Sequence, residues 1–267
     1  MPKTPVSTWP ALTDHQLISA RAGLHTLGQR WTTWIIQTLH HQGPLPTLKL
    51  ARSIPVPTHT ALTDPLNRLR ASGLIARMPG NVRSPYALTE RGHAVAPIHA
   101  AAASWWRAHA ADPAPTAQAE QVTQVLKTLA TARTMNVLAF LGEAGPLPVT
   151  ALYQRITSMG PSEATYPTHL YTTCQLAVAD GLLSRDTHSR PARYRLTAAG
   201  SALQPLVTAL VTWSTATSTT TAASPVNARI RARGNALPPP AWRPEDLFSH
   251  RTPPPPPFTV PSTSARR

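Results

Sequence analysis

YALTERG at residues 86–92 returns as YRLTAAG at residues 194–200. Tyr86/Tyr194, Leu88/Leu196, Thr89/Thr197 and Gly92/Gly200 are identical, and Pro97/Pro205 and Trp105/Trp213 continue the match at the same offset. Just upstream, SGLIAR at 72–77 matches DGLLSR at 180–185, again at that offset. Further upstream the offset is shorter by six positions, where GPLP at 43–46 matches GPLP at 145–148. The order is kept, so one insertion of six residues explains the change, and the loop signal Gly160-Pro161 places it within Thr157–Ala164. Three collinear blocks point to a tandem duplication, which decides the fold before any local reading does.

Each copy reads as the same string of elements. Thr13-Asp14-His15-Gln16 has the form of a capping box, in which two side chains satisfy backbone N–H groups at a helix start. It predicts a helix from there to about Leu27. Trp31, Trp34, Ile35 and Leu39 have the spacing of one helical face, ended by Gly43-Pro44. Leu48, Leu50 and Ala51 suggest a short helix stopped before Pro55, and Leu62, Leu66 and Leu69 stripe a further helix ended by Gly73. Residues 74–78 and 86–88 read as short strands around a Pro79-Gly80-Asn81 turn. From Glu90 to about Ala111 the chain is Ala-rich, and one long helix carrying Trp105 and Trp106 is expected.

Three helices followed by a β-hairpin is the winged helix-turn-helix layout. LGQRWT at 27–32 resembles the opening of HxlR-type transcriptional regulators. Leu62, Leu66, Leu69, Gly73 and Leu74 resemble their recognition helix and its exit, and Tyr86, Leu88, Thr89 and Gly92 the motif that leaves the wing. The resemblance covers about residues 20–110. The second copy, about 122–217, shares the skeleton but carries Ala132-Arg133-Thr134 where the first has Arg30-Trp31-Thr32. The resemblance implies a sequence-specific transcriptional regulator that binds double-stranded DNA, in a family normally built as dimers of one winged helix per chain. With two copies in one chain, it implies an intramolecular pseudo-dimer, or a homodimer, joined through helices at about 14–27, 93–110 and 199–216. The expected architecture is mainly α with small β-hairpin wings: tandem winged helix-turn-helix domains at 12–112 and 120–217, then a disordered Pro-rich tail at 218–267.

A helix lying in the major groove must offer donors along one face near its start. Thr58, His59, Thr60, Thr63, Asn67, Arg68 and Arg70 form the polar set opposite the leucine stripe. Threonine hydroxyls suit phosphate, asparagine pairs with adenine, and arginine with guanine or a phosphate. Asp64 and Pro65 are discordant here, since a carboxylate repels phosphate and a proline inside a helix removes an N–H. Two readings follow: a kinked helix over 58–72, which the resemblance favours, or Asp64 as N-cap of a helix over 65–72 with 58–63 as loop. On the first wing, Arg77, Arg83 and Ser84 flank the tip, where arginine suits a minor groove or its phosphates. On the second, Arg185, His188, Arg190, Arg193 and Arg195 do the same, whereas the second recognition helix, starting at Pro167, offers His169 and Thr172 but no Lys or Arg.

Composition agrees with a polyanion as partner. Twenty-five Lys and Arg stand against 11 Asp and Glu, a net charge of +14, yet only 13 % of residues are charged. Scarce acid makes the excess, which argues against metal or glycosidase chemistry built on clustered carboxylates. By segment the charge is +7 over residues 1–112, +2 over 113–218 and +5 over 219–267. A single cysteine, Cys174, excludes an intramolecular disulfide and a cysteine-based zinc site, and its place on the apolar stripe of its helix predicts a core residue. Eleven histidines form no metal-ligand spacing, so neither metal nor cofactor is expected, and no catalytic group is recognisable. No run nears the roughly 20 apolar residues that span a membrane, and with no signal sequence the expectation is a cytoplasmic protein. The tail holds 11 of the 30 prolines, five of them consecutive at 253–257, and reads as polyproline II with arginines. It also supports a rival reading, an interaction scaffold of degenerate winged helices with a Pro-rich docking tail.

Overall fold

Thr13 opens the first helix as its motif predicts. In the computed structural model its N–H donates to Gln16 Oε1 at 2.9 Å, and Gln16 N–H donates back to Thr13 Oγ1 at 3.3 Å. The structure describes residues 9–80, 84–110, 117–131, 133–163 and 166–222. The predicted Pro-rich tail beyond Ala222 lies outside them.

The first half begins with α1 (Asp14–Leu27), α2 (Thr32–Gln42) and α3 (Thr47–Ser53). A 3₁₀ turn, His59–Leu62, then leads into α4 (Thr63–Ala71). Strands β1 (Ile75–Arg77) and β2 (Tyr86–Leu88) pair antiparallel with Ile75 opposite Leu88 and Arg77 opposite Tyr86. Trp31 is not part of the α2 helical face: it stands at the N-cap with φ 71°. Gly43, at φ 74°, ends α2 in a conformation that glycine adopts without a Cβ penalty.

The single long helix expected from Glu90 is two helices, α5 (Glu90–His93) and α6 (Ala96–His109). Pro97 is the cause. It has no N–H to give the His93 carbonyl, and its ring would strike that carbonyl in a continuous helix. In the first turn of a new helix neither problem arises.

The second half repeats the order. It comprises α7 (Gln118–Ala130), α8 (Thr134–Ala144), β3 (Leu147–Pro148), α9 (Val149–Ser158) and α10 (Pro167–Ala179). Strands β4 (Leu183–Asp186) and β5 (Arg193–Leu196) follow, then α11 (Ala198–Ser201) and α12 (Gln204–Ala222). The sheet order is β3-β5-β4, all antiparallel. Pro205 splits α11 from α12 as Pro97 splits α5 from α6. Because α12 runs to Ala222, the segment 218–222 assigned to the tail is helical.

The motif that occurs twice in the sequence has one geometry in both places. Thr89 Oγ1 donates to the Gly73 carbonyl at 2.6 Å and accepts from Gly92 N–H at 3.1 Å. Thr197 Oγ1 donates to the Gly181 carbonyl at 2.6 Å and accepts from Gly200 N–H at 3.1 Å. A Cβ on Gly92 would lie 2.1 Å from the Leu74 carbonyl oxygen, and one on Gly200 would lie 2.2 Å from that of Leu182. Threonine ties the helix start to the strand entry, and only glycine lets the two backbones come that close.

One apolar core runs through both halves. Helix α7 packs on α1, α2 and α6 as well as on α8. Trp105 Nε1 on α6 donates to the Ala199 carbonyl of α11 at 2.8 Å, and Trp213 Nε1 on α12 donates to the Arg91 carbonyl of α5 at 3.1 Å. The two donors are repeat equivalents, and so are the two acceptors, so the contact is reciprocal, as across a two-fold axis. Gly23 on α1 makes room for the Trp213 ring, which a Cβ would meet at 2.5 Å. No helix among the described residues is long and apolar enough to cross a membrane.

Candidate nucleic-acid interface

Helix α4 carries the best-formed polar surface. Leu62, Pro65, Leu66 and Leu69 are buried, while Thr63, Asn67, Arg68 and Arg70 are exposed. Thr60, Thr63, Asn67 and Arg70 follow at spacings of three, four and three, one stripe of the helix and of the turn before it. Arg68 lies about 100° round from Asn67, still clear of the core. Thr58, His59 and Thr60 are also exposed, with the Thr58 and Thr60 hydroxyls 2.9 Å apart. Both sequence readings of this segment need correction. There is no kinked helix over 58–72, and the helix does not wait for Pro65. A 3₁₀ turn precedes it, and Pro65 stands at its third residue, where a backbone N–H has no intrahelical partner. Asp64, in the same first turn, is where a carboxylate favours the helix dipole.

Arg77 is exposed at the end of β1, but its Nε–H reaches the Ser84 carbonyl at 3.5 Å and its guanidinium lies 5.4 Å from the Tyr86 ring centre. Ser84, read from sequence as a surface group, is 7 % exposed instead, and a Cβ on Gly80 would meet its hydroxyl at 2.5 Å. It is a buried residue of the segment that joins the two strands. Arg83 lies outside the described residues.

The second half presents a different surface. On α10, Thr168, His169, Thr172 and Leu176 are exposed, while Leu170, Thr173 and Cys174 face the core. Large apolar groups share the exposed side: Tyr166 is 72 % exposed, Leu176 49 % and Tyr171 44 %. The His169 ring stacks edge-on to Tyr166 at 5.6 Å, and Thr172 Oγ1 donates to the Thr168 carbonyl at 3.0 Å, leaving its oxygen to accept.

The wing arginines do not share one face. Arg193 and Arg195 alternate with buried Tyr194 on β5, so they point to the outer side. Arg193 Nη1 donates to the Pro146 carbonyl at 3.5 Å, and Arg195 Nε to Ser184 Oγ at 3.0 Å. Arg185 pairs opposite Tyr194 and reaches the Tyr171 hydroxyl at 3.5 Å. Arg190 is exposed at the tip. Asp186 closes the turn by accepting from Ser189 Oγ at 2.7 Å and His188 N–H at 2.9 Å, bonds that hold its carboxyl below the usual carboxylate range.

Two buried groups outside these surfaces are chemically distinctive. Burial pushes the Cys174 thiol up to about 12, which leaves it a thiol and a core residue. Glu163, 1 % exposed on a 3₁₀ turn inside the predicted insertion, accepts through Oε2 from Arg21 Nη1 at 2.5 Å and from Arg133 Nη1. It joins α1 of the first half to the residue that opens α8. Sequence reading does not find this role, because the two arginines lie 142 and 30 residues away. No group of three His, Cys, Asp or Glu able to hold a metal occurs among the described residues.

Against known proteins, the HxlR-like helix-turn-helix family matches residues 26–113, the span that holds α2 to α6 and the first wing. A curated relative from Methanothermobacter thermautotrophicus, named an uncharacterized HTH-type transcriptional regulator, is 35 % identical over 97 residues. That alignment covers 34 % of this chain and 72 % of the relative. No solved structure matches the chain.

Proposed function

Because the chain belongs to the HxlR-like helix-turn-helix family, we propose that it is a DNA-binding transcriptional regulator in which α4 is the reading helix. The observation that carries this is the exposed face of α4, where Asn67, Arg68 and Arg70 stand clear of the leucines within the family-matched span. Thr58, His59, Thr60 and Thr63 would contact phosphates at the helix entry, and Arg77 and Arg83 would contact the backbone beside the wing. The second half acts as a tandem, diverged winged helix. It adds Arg190 and Arg193 from its wing and, more weakly, His169 and Thr172 from α10. The reciprocal tryptophan bonds support an intramolecular pseudo-dimer. Two unequal reading helices then call for an asymmetric duplex site rather than a palindrome.

A second reading rests on Tyr166, Tyr171 and Leu176, which give α10 the character of a protein-contact surface. Selection of bound duplexes from a random pool separates the two. The regulator reading expects one enriched, asymmetric motif, with affinity that falls steeply as salt rises. Binding to arbitrary duplex that vanishes at moderate salt, with no enriched motif, overturns it in favour of the scaffold.

A further inference from the structure

A pocket of about 170 Å³ opens between α2, the α5–α6 corner and the start of α7. Its apolar wall is Ile36, Gly92, Ala96 and Ala100. Its polar groups are the imidazoles of His40, His41, His93 and His99 and the amides of Gln37 and Gln118, with no acidic side chain among the lining residues. Three of the imidazoles are exposed, and the His40 and His93 rings are 5.8 Å apart. His99 differs: it is 6 % exposed, and its Nε2 finds no hydrogen-bond partner among the described residues. Burial, followed by the nearby His40, lowers its pKa to about 4, so the ring is neutral at pH 7. Buried side-chain nitrogens are as a rule hydrogen-bonded, so an unpartnered one calls for a partner. In the second half the same helix position holds buried Val207.

The second half also indicates what shape fits. The residue equivalent to His40 is Gly142, and the indole of Trp9 lies on it, 2.3 Å from where a Cβ would stand. A planar aromatic group from the chain itself covers that place, whereas in the first half the equivalent residue lines the pocket beside three further imidazoles. We propose that this pocket binds a small planar carboxylic acid, one aromatic ring bearing one carboxylate. The size agrees, since a cavity of about 150 Å³ accommodates benzene. The ring lies against Ile36, Ala96 and Ala100. The carboxylate accepts from imidazole N–H groups of the pocket, and the lining residues include no carboxylate to compete for those donors.

The test uses the full chain without DNA, so it stands or falls apart from the regulator reading. Benzoate, benzamide and acetate are titrated by calorimetry, with the histidine imidazole signals followed by NMR. Benzoate is expected to bind at least tenfold more tightly than either control and to shift the His99 signals most. His99→Val, which borrows the residue of the second half, and Ala100→Phe, which fills the space, are each expected to weaken benzoate at least tenfold. Should His99→Val not fold, Ala100→Phe decides alone. Absence of benzoate binding, parity with benzamide or acetate, or undiminished binding by a folded variant overturns the proposal.

Discussion

Helices α4 and α10 hold the same place in their halves and share almost nothing on their outer faces. The first presents Asn67, Arg68 and Arg70; the second presents Tyr171, Thr172 and Leu176 and no cation. Beneath them the bonds that fix the backbone are duplicated. Thr89 and Thr197 reach the Gly73 and Gly181 carbonyls at 2.6 Å in both halves, and Gly92 and Gly200 press alike against Leu74 and Leu182. Gly92 and Gly200 are buried where any side chain would strike a backbone carbonyl, so these positions resist change. A solvated face carries no such constraint and diverges. The difference teaches that in this chain two similar skeletons carry two unlike surfaces.

The sharpest way to break the comparison is at Glu163, which the first half lacks. Glu163→Ala leaves two partly buried guanidiniums without their shared carboxylate and is expected to cost about 3–4 kcal/mol in urea unfolding. A change below about 1 kcal/mol, the level of an exposed ion pair, would mean that the insertion does not tie the halves together. Next is His99 against Val207. Its pKa of about 4 lies below the ordinary value of 6.5, so the unfolded chain binds the proton more readily. Stability is therefore full above about pH 6.5 and falls as pH drops toward 4, by about 3 kcal/mol in all. His99→Val should flatten that slope in unfolding measured at several pH values; an unchanged slope assigns it elsewhere.

Arg68→Ala and Thr172→Ala compare the two outer faces directly. On a selected duplex the first should weaken binding roughly 10–100-fold, the range for loss of a base or phosphate arginine, and the second by less than about threefold, as expected for a neutral contact at a helix surface. Equal losses would make α10 a full reader and the two faces alike. The smallest effect tests the reciprocal bonds. Trp105→Phe and Trp213→Phe each remove one indole N–H and should each cost about 1 kcal/mol. A marked inequality between them would show that the contact is not shared evenly.

Much of the skeleton is legible in the sequence because repeats, caps and apolar spacing are local or periodic. Thr13-Gln16, Gly43 and the leucines of α4 act within a few residues of themselves. Pro97 marks the break before α6, but the Ala-rich composition points to one long helix and hides it. Asp64 and Pro65 conflict with a long helix only until the 3₁₀ turn puts them in its first turn. The rest depends on distant partners. Nothing near Ser84 announces that its hydroxyl is enclosed, and nothing near Glu163 names Arg21. The pocket needs α2, α6 and α7 side by side, an arrangement set by the packing of the halves and not by any one segment.

The tryptophan contacts have one more consequence. Between two separate polypeptides, a two-fold contact forms by mass action and is lost on dilution. Here both partners are carried by one backbone, so the contact forms at an effective concentration set by the chain itself. It is as complete with a few molecules per cell as with thousands, and its formation has no threshold in protein abundance.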